Sequence, residues 1–223
     1  MHAEWYAAQR APRPIPPPPD MSPLGDAAGP RGLYVELVAH GSGDAFDRHV
    51  FACALTVGAG ETERSLTEAL GLTARSLHQL VGAYFPTGGG LLSQLPLGAD
   101  PGADALEEPD LRRLLLDHRS RGVIEEEWLA AIIARRSLCP DHLWQDLGLF
   151  NRSDLGRLLR RHFEPLAQRN VRDMKWKKFF YRELCLRDGV LICKAPVCDV
   201  CSDFVHCFGG EDEPATRFQP SPS

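Results

Sequence analysis

The sequence predicts an all-α protein: two similar helical repeats about a pseudo-two-fold axis, followed by a C-terminal cysteine-rich loop that binds a metal cluster. Three observations carry that reading. Apolar residues recur at helical spacing from about Leu33 onward. Their pattern occurs twice, at a constant offset of 77 residues over Leu66, Leu70, Gly71 and Leu72 against Leu143, Leu147, Gly148 and Leu149. Four of the seven cysteines then fall in one short stretch, Cys193, Cys198, Cys201 and Cys207.

In chain order, residues 1–31 hold eight of the eighteen prolines, including Pro16 through Pro19. Missing N–H groups oppose both helix and ladder there, so a disordered or polyproline arm is expected. The duplicated helical domain is expected over 32–189, with copies at about 33–86 and 110–165. In the first copy Phe51 and Leu55 lie on one helix. Glu61 to Leu70 reads as a second helix, stopped at Gly71. Leu77, Leu80, Val81 and Phe85 form the apolar face of a third, closed by Pro86. Residues 87–109, with Gly88-Gly89-Gly90 and Pro96, read as a linker.

The second copy repeats this. Phe51 and Leu55 match Trp128 and Ile132, and His40 matches His118. One inserted residue later, Leu77, Leu80, Val81 and Phe85 match Leu155, Leu158, Leu159 and Phe163. Glu125 to Arg136 reads as a helix with a stripe of Trp128, Leu129, Ile132 and Ile133 and acidic residues at its positive end. Asp141 to Leu147 reads as a short helix, and Ser153 as the cap of the next. Only two copies exist, so the fold is not a solenoid. The repeated Leu-Gly-Leu turn reads as a packing device.

A last helix is expected over 171–187, capped by Asn170 and stopped at Gly189. Trp176, Phe179, Phe180 and Leu184 form its core face. Lys175, Lys178 and Arg182 fall on another face, and Lys194 follows the first loop cysteine. From Arg157 to Arg182 there are nine basic and two acidic residues. These cations form either a solvated face or a positive field for an anion or acidic partner. The cysteine-rich loop spans 190–209, entered through a short extended run at Val190-Leu191-Ile192. Residues 210–223 form an acidic, proline-rich tail expected to be disordered.

Gaps of four, two and five residues between the cysteines are too dense for packing alone. The N-terminal stretch does not read as a signal peptide, so a reducing, cytoplasmic compartment is expected and disulfides are disfavoured. Structural zinc usually takes two well-separated C-x2-C knuckles, whereas here there is one. The C-x4-C-x2-C spacing matches the start of plant-type iron–sulfur sites. An iron–sulfur or mixed-metal sulfur cluster is therefore the first reading, zinc the second, and a disulfide or no ligation the third. Cys53 and Cys139 read as buried hydrophobes, while Cys185, eight residues before Cys193, is open. His118, His142 and His162 could act as ligands but read first as half-buried or surface histidines.

A formal net charge of −5 argues against a general nucleic-acid binder. No apolar run approaches the ~18 residues of a membrane span. The stretch Leu66 to Leu80 has the outline of a helix-turn-helix, but its second helix offers Arg75 and little other cationic charge for phosphates.

Met174-Lys-Trp176-Lys-Lys-Phe179-Phe-Tyr181-Arg-Glu-Leu-Cys185, followed by the four cysteines and Phe208-Gly209, resembles the NifQ family of diazotrophic bacteria. His142-Leu-Trp144-Gln-Asp-Leu-Gly148-Leu is similar to that family too. The resemblance covers roughly 33–210. It implies a protein that carries a Mo-Fe-S cluster of iron, sulfide and molybdenum and donates molybdenum to assembly of the nitrogenase iron–molybdenum cofactor. The implied partners are the NifEN scaffold, NifH, and molybdate or another upstream molybdenum source. Cys193, Cys198, Cys201 and Cys207 would be the thiolate ligands. Such a protein is a carrier and not a turnover enzyme. The alternative is a zinc- or iron–sulfur-dependent helix-turn-helix regulator. A redox enzyme would need a cofactor motif that the rest of the chain lacks.

Overall fold

The computed structural model describes residues 30–87, 90, 99–102, 105–187, 189 and 207–209. Among them every regular element is a helix. In order these are α1 (Pro30–His40), α2 (Ala45–Ala59), α3 (Leu66–Leu70), α4 (Ala74–Tyr84), α5 (Glu108–Asp117), α6 (Ile124–Ser137), α7 (Leu143–Asp146), α8 (Arg152–His162), α9 (Glu164–Ala167) and α10 (Trp176–Arg187). None is long and apolar enough to cross a membrane. The expected tail, most of the N-terminal arm, most of the 87–109 linker and most of the 190–209 loop lie outside the described residues.

The two central helices explain the packing. α2 buries Phe46, Asp47 and everything from His49 to Gly58, and α6 buries Glu126 and everything from Trp128 to Ser137. The stripe expected on α6 is therefore too narrow. Its Ala130, Ala131 and Ala134 are small enough for neighbours to close on the other sides, and a helix apolar nearly all round belongs in a core. α3, α4, α5 and α7 all pack on α6. One continuous apolar core runs from Leu37 through Phe51, Leu80 and Leu115 to Phe163 and Phe180.

Helix starts follow capping chemistry, and four sequence expectations are corrected by it. The second helix does not begin at Glu61. The Ser65 hydroxyl accepts the Glu68 N–H at 3.3 Å while the Glu68 carboxylate accepts the Ser65 N–H at 2.8 Å, and this reciprocal box starts α3 at Leu66. α7 is shorter than 141–147, because the Gln145 side chain takes the His142 N–H at 3.0 Å and sets the start at Leu143. α8 is capped by Asn151, whose Oδ1 accepts the Asp154 N–H at 2.9 Å; Ser153 lies inside the first turn. α10 starts at Trp176, five residues later than expected, because Asn170 bonds Met174 instead of capping a helix.

The same helix order, α1–α4 then α5–α8, recurs in the two halves. Matched hydrogen bonds recur with it. Ser42 N–H bonds the Tyr84 carbonyl at 2.8 Å, and Ser120 N–H bonds the His162 carbonyl at 2.9 Å. Leu72 N–H bonds Thr67 at 3.2 Å, and Leu149 N–H bonds Trp144 at 2.9 Å. Both Leu-Gly-Leu turns put their glycine in the left-handed region, at φ 64° for Gly71 and 71° for Gly148. A Cβ on Gly71 would also lie 3.1 Å from the Arg135 Cβ and 3.3 Å from the Ala131 carbonyl, so that turn is a close approach to α6.

Two consecutive arginines on α6 complete the join. Arg135 Nε donates to Glu108 at 2.8 Å, and its Nη1 reaches the carbonyls of Glu68 and, at 2.9 Å, Pro101. Arg136 Nε donates to the Asp146 carbonyl at 2.8 Å, and its Nη1 to Ala69 at 3.3 Å and to the Glu61 carboxylate. The end of α3, whose last carbonyls have no partner within the helix, is thus held by side chains from the other half.

Glu108 is fully buried and also bonds Arg112 at 2.8 Å. Removing Arg135 leaves the buried Glu108 carboxylate with the partly exposed Arg112 as its remaining cation. Arg135→Met is therefore expected to lower stability by about 3 kcal/mol in urea unfolding. The double change Arg135→Met with Glu108→Leu should cost less than the sum of the two single changes.

Candidate metal-cluster site

Of the residues singled out from the sequence, Cys193, Lys194, Cys198 and Cys201 lie outside the described residues. Cys207 is described: it is half-buried, helical with Phe208, and both pack against the core. Its carbonyl accepts the Lys175 N–H at 2.8 Å. The final cysteine is thereby tied to the residue that precedes α10, and α10 feeds the segment where the other cysteines lie.

α10 is anchored on one side by aromatic packing. Trp176 and Phe179 meet edge to face at 5.7 Å between centroids, and Phe179 and Phe180 lie 6.1 Å apart. Its expected core face is therefore buried, with Leu184 included. Of its expected basic face, Lys178 is exposed, and Lys175 and Arg182 are half-buried. Arg182 lies 4.0 Å from Glu183, a contact too exposed to fix it. Glu183 itself is buried and pairs with Arg169 at 3.0 Å.

The sequence reading passed over Lys177. Its ammonium donates to the Cys139 and Asp141 carbonyls, each at 2.6 Å, and to the Asp146 carboxylate. This clamps α10 to the loop between α6 and α7. Burial raises the Asp146 pKa above the ordinary carboxylate value, against the opposing pull of Lys177 and Arg136. Three acceptors converging on one lysine come from residues more than thirty positions away, so no local spacing signals it.

Hydrogen bonds fix the ring tautomers of His162 and His118. His162 is fully buried, with Nε2 at 2.9 Å from Asp47 and Nδ1 at 3.1 Å from an Arg121 nitrogen. A guanidinium only donates, so Nδ1 accepts and Nε2–H donates to Asp47. His118 uses the opposite tautomer: Nε2 faces Arg169 at 3.2 Å and Nδ1 donates to Leu114 at 2.8 Å. His142 stands at the start of α7.

The remaining described cysteines differ from one another. Cys53 is buried beside the His49 ring, and burial, then the Asp154 charge, pushes its thiol well above the usual value. Cys139 is half-buried, with its sulfur 3.9 Å from Arg64, and Cys185 is half-buried on α10. Among the described residues, no three His, Cys, Asp or Glu side chains gather as a metal site. On α4, Arg75 is exposed and is the only Lys or Arg of the helix.

A family model described as NifQ matches residues 50–209. The chain is 43% identical over 179 residues to the protein NifQ homolog of Sinorhizobium fredii, covering 77% of this chain and 76% of that protein. It is 37% identical over 198 residues to protein NifQ of Azotobacter vinelandii, covering 84% of this chain and all 100% of that one. To protein NifQ of Rhodobacter capsulatus it is 39% identical over 146 residues, covering 64% and 77%. No solved structure matches the chain.

Lys177→Met would leave the buried Asp146 carboxylate without its cation, and a loss of about 3 kcal/mol is expected at neutral pH. The folded Asp146 already holds its proton more tightly than the ordinary value of 3.8. A raised folded pKa contributes stability that is fully present below the unfolded value and lost as pH rises through the folded value. Losing Lys177 raises it further, so the variant should lose less stability at pH 4 than at pH 7. Urea unfolding at the two pH values measures this, and an equal loss at both would contradict it.

Proposed function

The chain belongs to the NifQ family, and on that premise we propose that it carries a Mo-Fe-S cluster and donates molybdenum to assembly of the nitrogenase iron–molybdenum cofactor. The single observation that carries the reading is the four cysteines at gaps of four, two and five residues, within the stretch the family match covers. Cys193, Cys198, Cys201 and Cys207 are the proposed thiolate ligands. Soft sulfur donors suit iron and sulfide-bound molybdenum alike. The cluster is cargo, so the protein acts as a carrier in the cytoplasm. Its receivers are NifEN and NifH, and its source is molybdate or an upstream molybdenum donor. The tie between Lys175 and the Cys207 carbonyl supports this, because it anchors one proposed ligand to a packed helix.

The helical domain is proposed to be two copies related by a pseudo-two-fold axis. The recurring helix order and matched hydrogen bonds support this. So does the edge-to-face contact of Phe51 with Trp128 at 6.1 Å, since equivalent residues touch each other where such an axis passes. The domain's role is to hold α10 and the ligand loop rigidly.

Protein purified without oxygen is expected to be brown and to contain iron, sulfide and molybdenum. Changing any of the four proposed ligands to Ala should abolish or degrade the cluster, while Cys53→Ala or Cys139→Ala should leave metal content near the parent value. A colourless zinc protein that shifts DNA would instead favour the regulator.

Molybdate is a dianion approaching thiolates that are themselves negative. Lys175, Lys178, Arg182 and Lys194 are proposed to offset that repulsion, an effect that salt screens. Lys175→Glu with Lys178→Glu is expected to slow molybdenum loading while iron content and fold persist, and loading of the parent should fall as ionic strength rises. Loading at the parent rate with failed delivery would assign the face to an acidic partner. Normal loading and normal delivery would return it to a solvated surface.

A further inference from the structure

We propose that Asn170, Asp173 and Arg152 form a bracket that positions Cys207, and that this bracket sets where the last of the four thiols meets its metal. The second half of the proposal rests on the metal-cluster reading; the first stands on geometry alone. Asn170 closes on one residue: its Oδ1 accepts the Met174 N–H at 2.8 Å and its Nδ2 donates to the Met174 carbonyl at 2.8 Å. Both polar ends of the side chain are spent on main chain. Within that turn Asp173 has φ 54°, the single non-glycine residue with positive φ among the described residues. Most L residues avoid this region, and Asp and Asn enter it more readily than the others.

Arg152, in the first turn of α8, braces that turn. Its Nη2 donates to the Asp173 carbonyl at 3.0 Å, to the Asp173 carboxylate at 2.9 Å and to the Met174 carbonyl at 3.3 Å. The Asp173 side chain is 81% exposed, so its ion pair is screened and the carbonyl contacts do the fixing.

What the bracket delivers is one free-standing N–H. Had the helix run on from residue 171, the Lys175 N–H would bond back to the carbonyl four residues earlier. The turn prevents this and leaves it for Cys207, at 2.8 Å. A second hold comes from the same turn: the Arg172 guanidinium lies 5.3 Å from the centre of the Phe208 ring. Two neighbouring residues of the returning chain are therefore held by residues 172 and 175. The chain gives up a turn of helix and accepts a disfavoured φ. The bond to Cys207 is what it gains. Residues that orient a ligand without touching the metal typically change metal affinity about 10–100-fold when removed.

The test uses the full-length protein and Asn170→Ala, with Asn170→Asp, Asp173→Gly and Asp173→Val as companions. Circular dichroism and thermal melting confirm the fold. In reduced, metal-free protein, the rate of Cys207 modification by N-ethylmaleimide is read by peptide mass spectrometry. After anaerobic reconstitution with iron, sulfide and molybdate, the visible spectrum and the rate of iron loss to a chelator are followed. Asn170→Ala is expected to raise Cys207 modification about tenfold, to alter the spectrum and to release iron about tenfold faster. Asn170→Asp, which keeps the acceptor, should fall between. Asp173→Gly tolerates positive φ and should stay near the parent; Asp173→Val should behave like Asn170→Ala. Parent-like modification and parent-like iron release in Asn170→Ala would overturn the bracket. Should that variant fail to fold, identical Cys207 modification in Asp173→Gly and Asp173→Val would overturn it instead. Faster modification together with no cluster in the parent would support the bracket and sink the metal reading.

Discussion

Two guanidinium groups inside the core constrain everything around them. Arg135 and Arg136 are consecutive on α6, a helix buried on nearly all sides, and they are only 6% and 1% exposed. Being consecutive, they leave the helix about 100° apart and cannot share one partner. Each needs its own set of acceptors, since an unpaired buried charge is among the costliest features a fold can contain. Arg135 takes Glu108 from α5 and carbonyls of Glu68 and Pro101, and Arg136 takes Glu61, Ala69 and the Asp146 carbonyl. The positions of α3, α5 and α7 around α6 are thereby coupled. The close approach of Gly71 to Arg135 belongs to the same arrangement, because a side chain there would press on the stem of that arginine.

The other join between the halves is also polar. Asp47 on α2 meets His162 at 2.9 Å and Arg161 at 2.9 Å, both on α8. The adjacent Asp44 is pulled below the ordinary carboxylate value: burial raises it, but the Asp47 N–H and Arg161 outweigh that. His162 passes its second nitrogen to Arg121. A network in which each member has a partner favours one arrangement of the halves over others that bury equal apolar area. Such directionality gives the helical domain one defined arrangement.

α10 carries that rigidity outward. Its aromatic face sits in the core, Lys177 pins it to the α6–α7 loop, and the turn before it is tied to Arg152 on α8 and to Cys207. Neighbouring lysines on this helix thus have opposite fates. Lys177 is consumed by structure, whereas Lys178 faces solvent. A count of basic residues along the helix does not separate the two.

Helical periodicity and the dense cysteines were legible in the sequence, because each is a local pattern. The family resemblance was legible for the same reason and is matched over 50–209. Gly71 and Gly148 could be read as turn residues because left-handed backbone favours glycine wherever it occurs. Helix starts were less legible. Ser65 with Glu68, Gln145 and Asn151 compete with neighbouring polar residues that look equally suited, and the winner depends on which side chain reaches a free N–H. What only the tertiary structure decided were the long-range polar joins: Arg135 with Glu108, Asp47 with His162, Lys177 with Asp146, and Asn170 turned from a helix cap into a clasp on Met174. Charge–charge and hydrogen-bond partners separated by tens of residues leave no periodic trace. They are chosen by which buried groups the packing of apolar faces happens to bring within about 3 Å of each other.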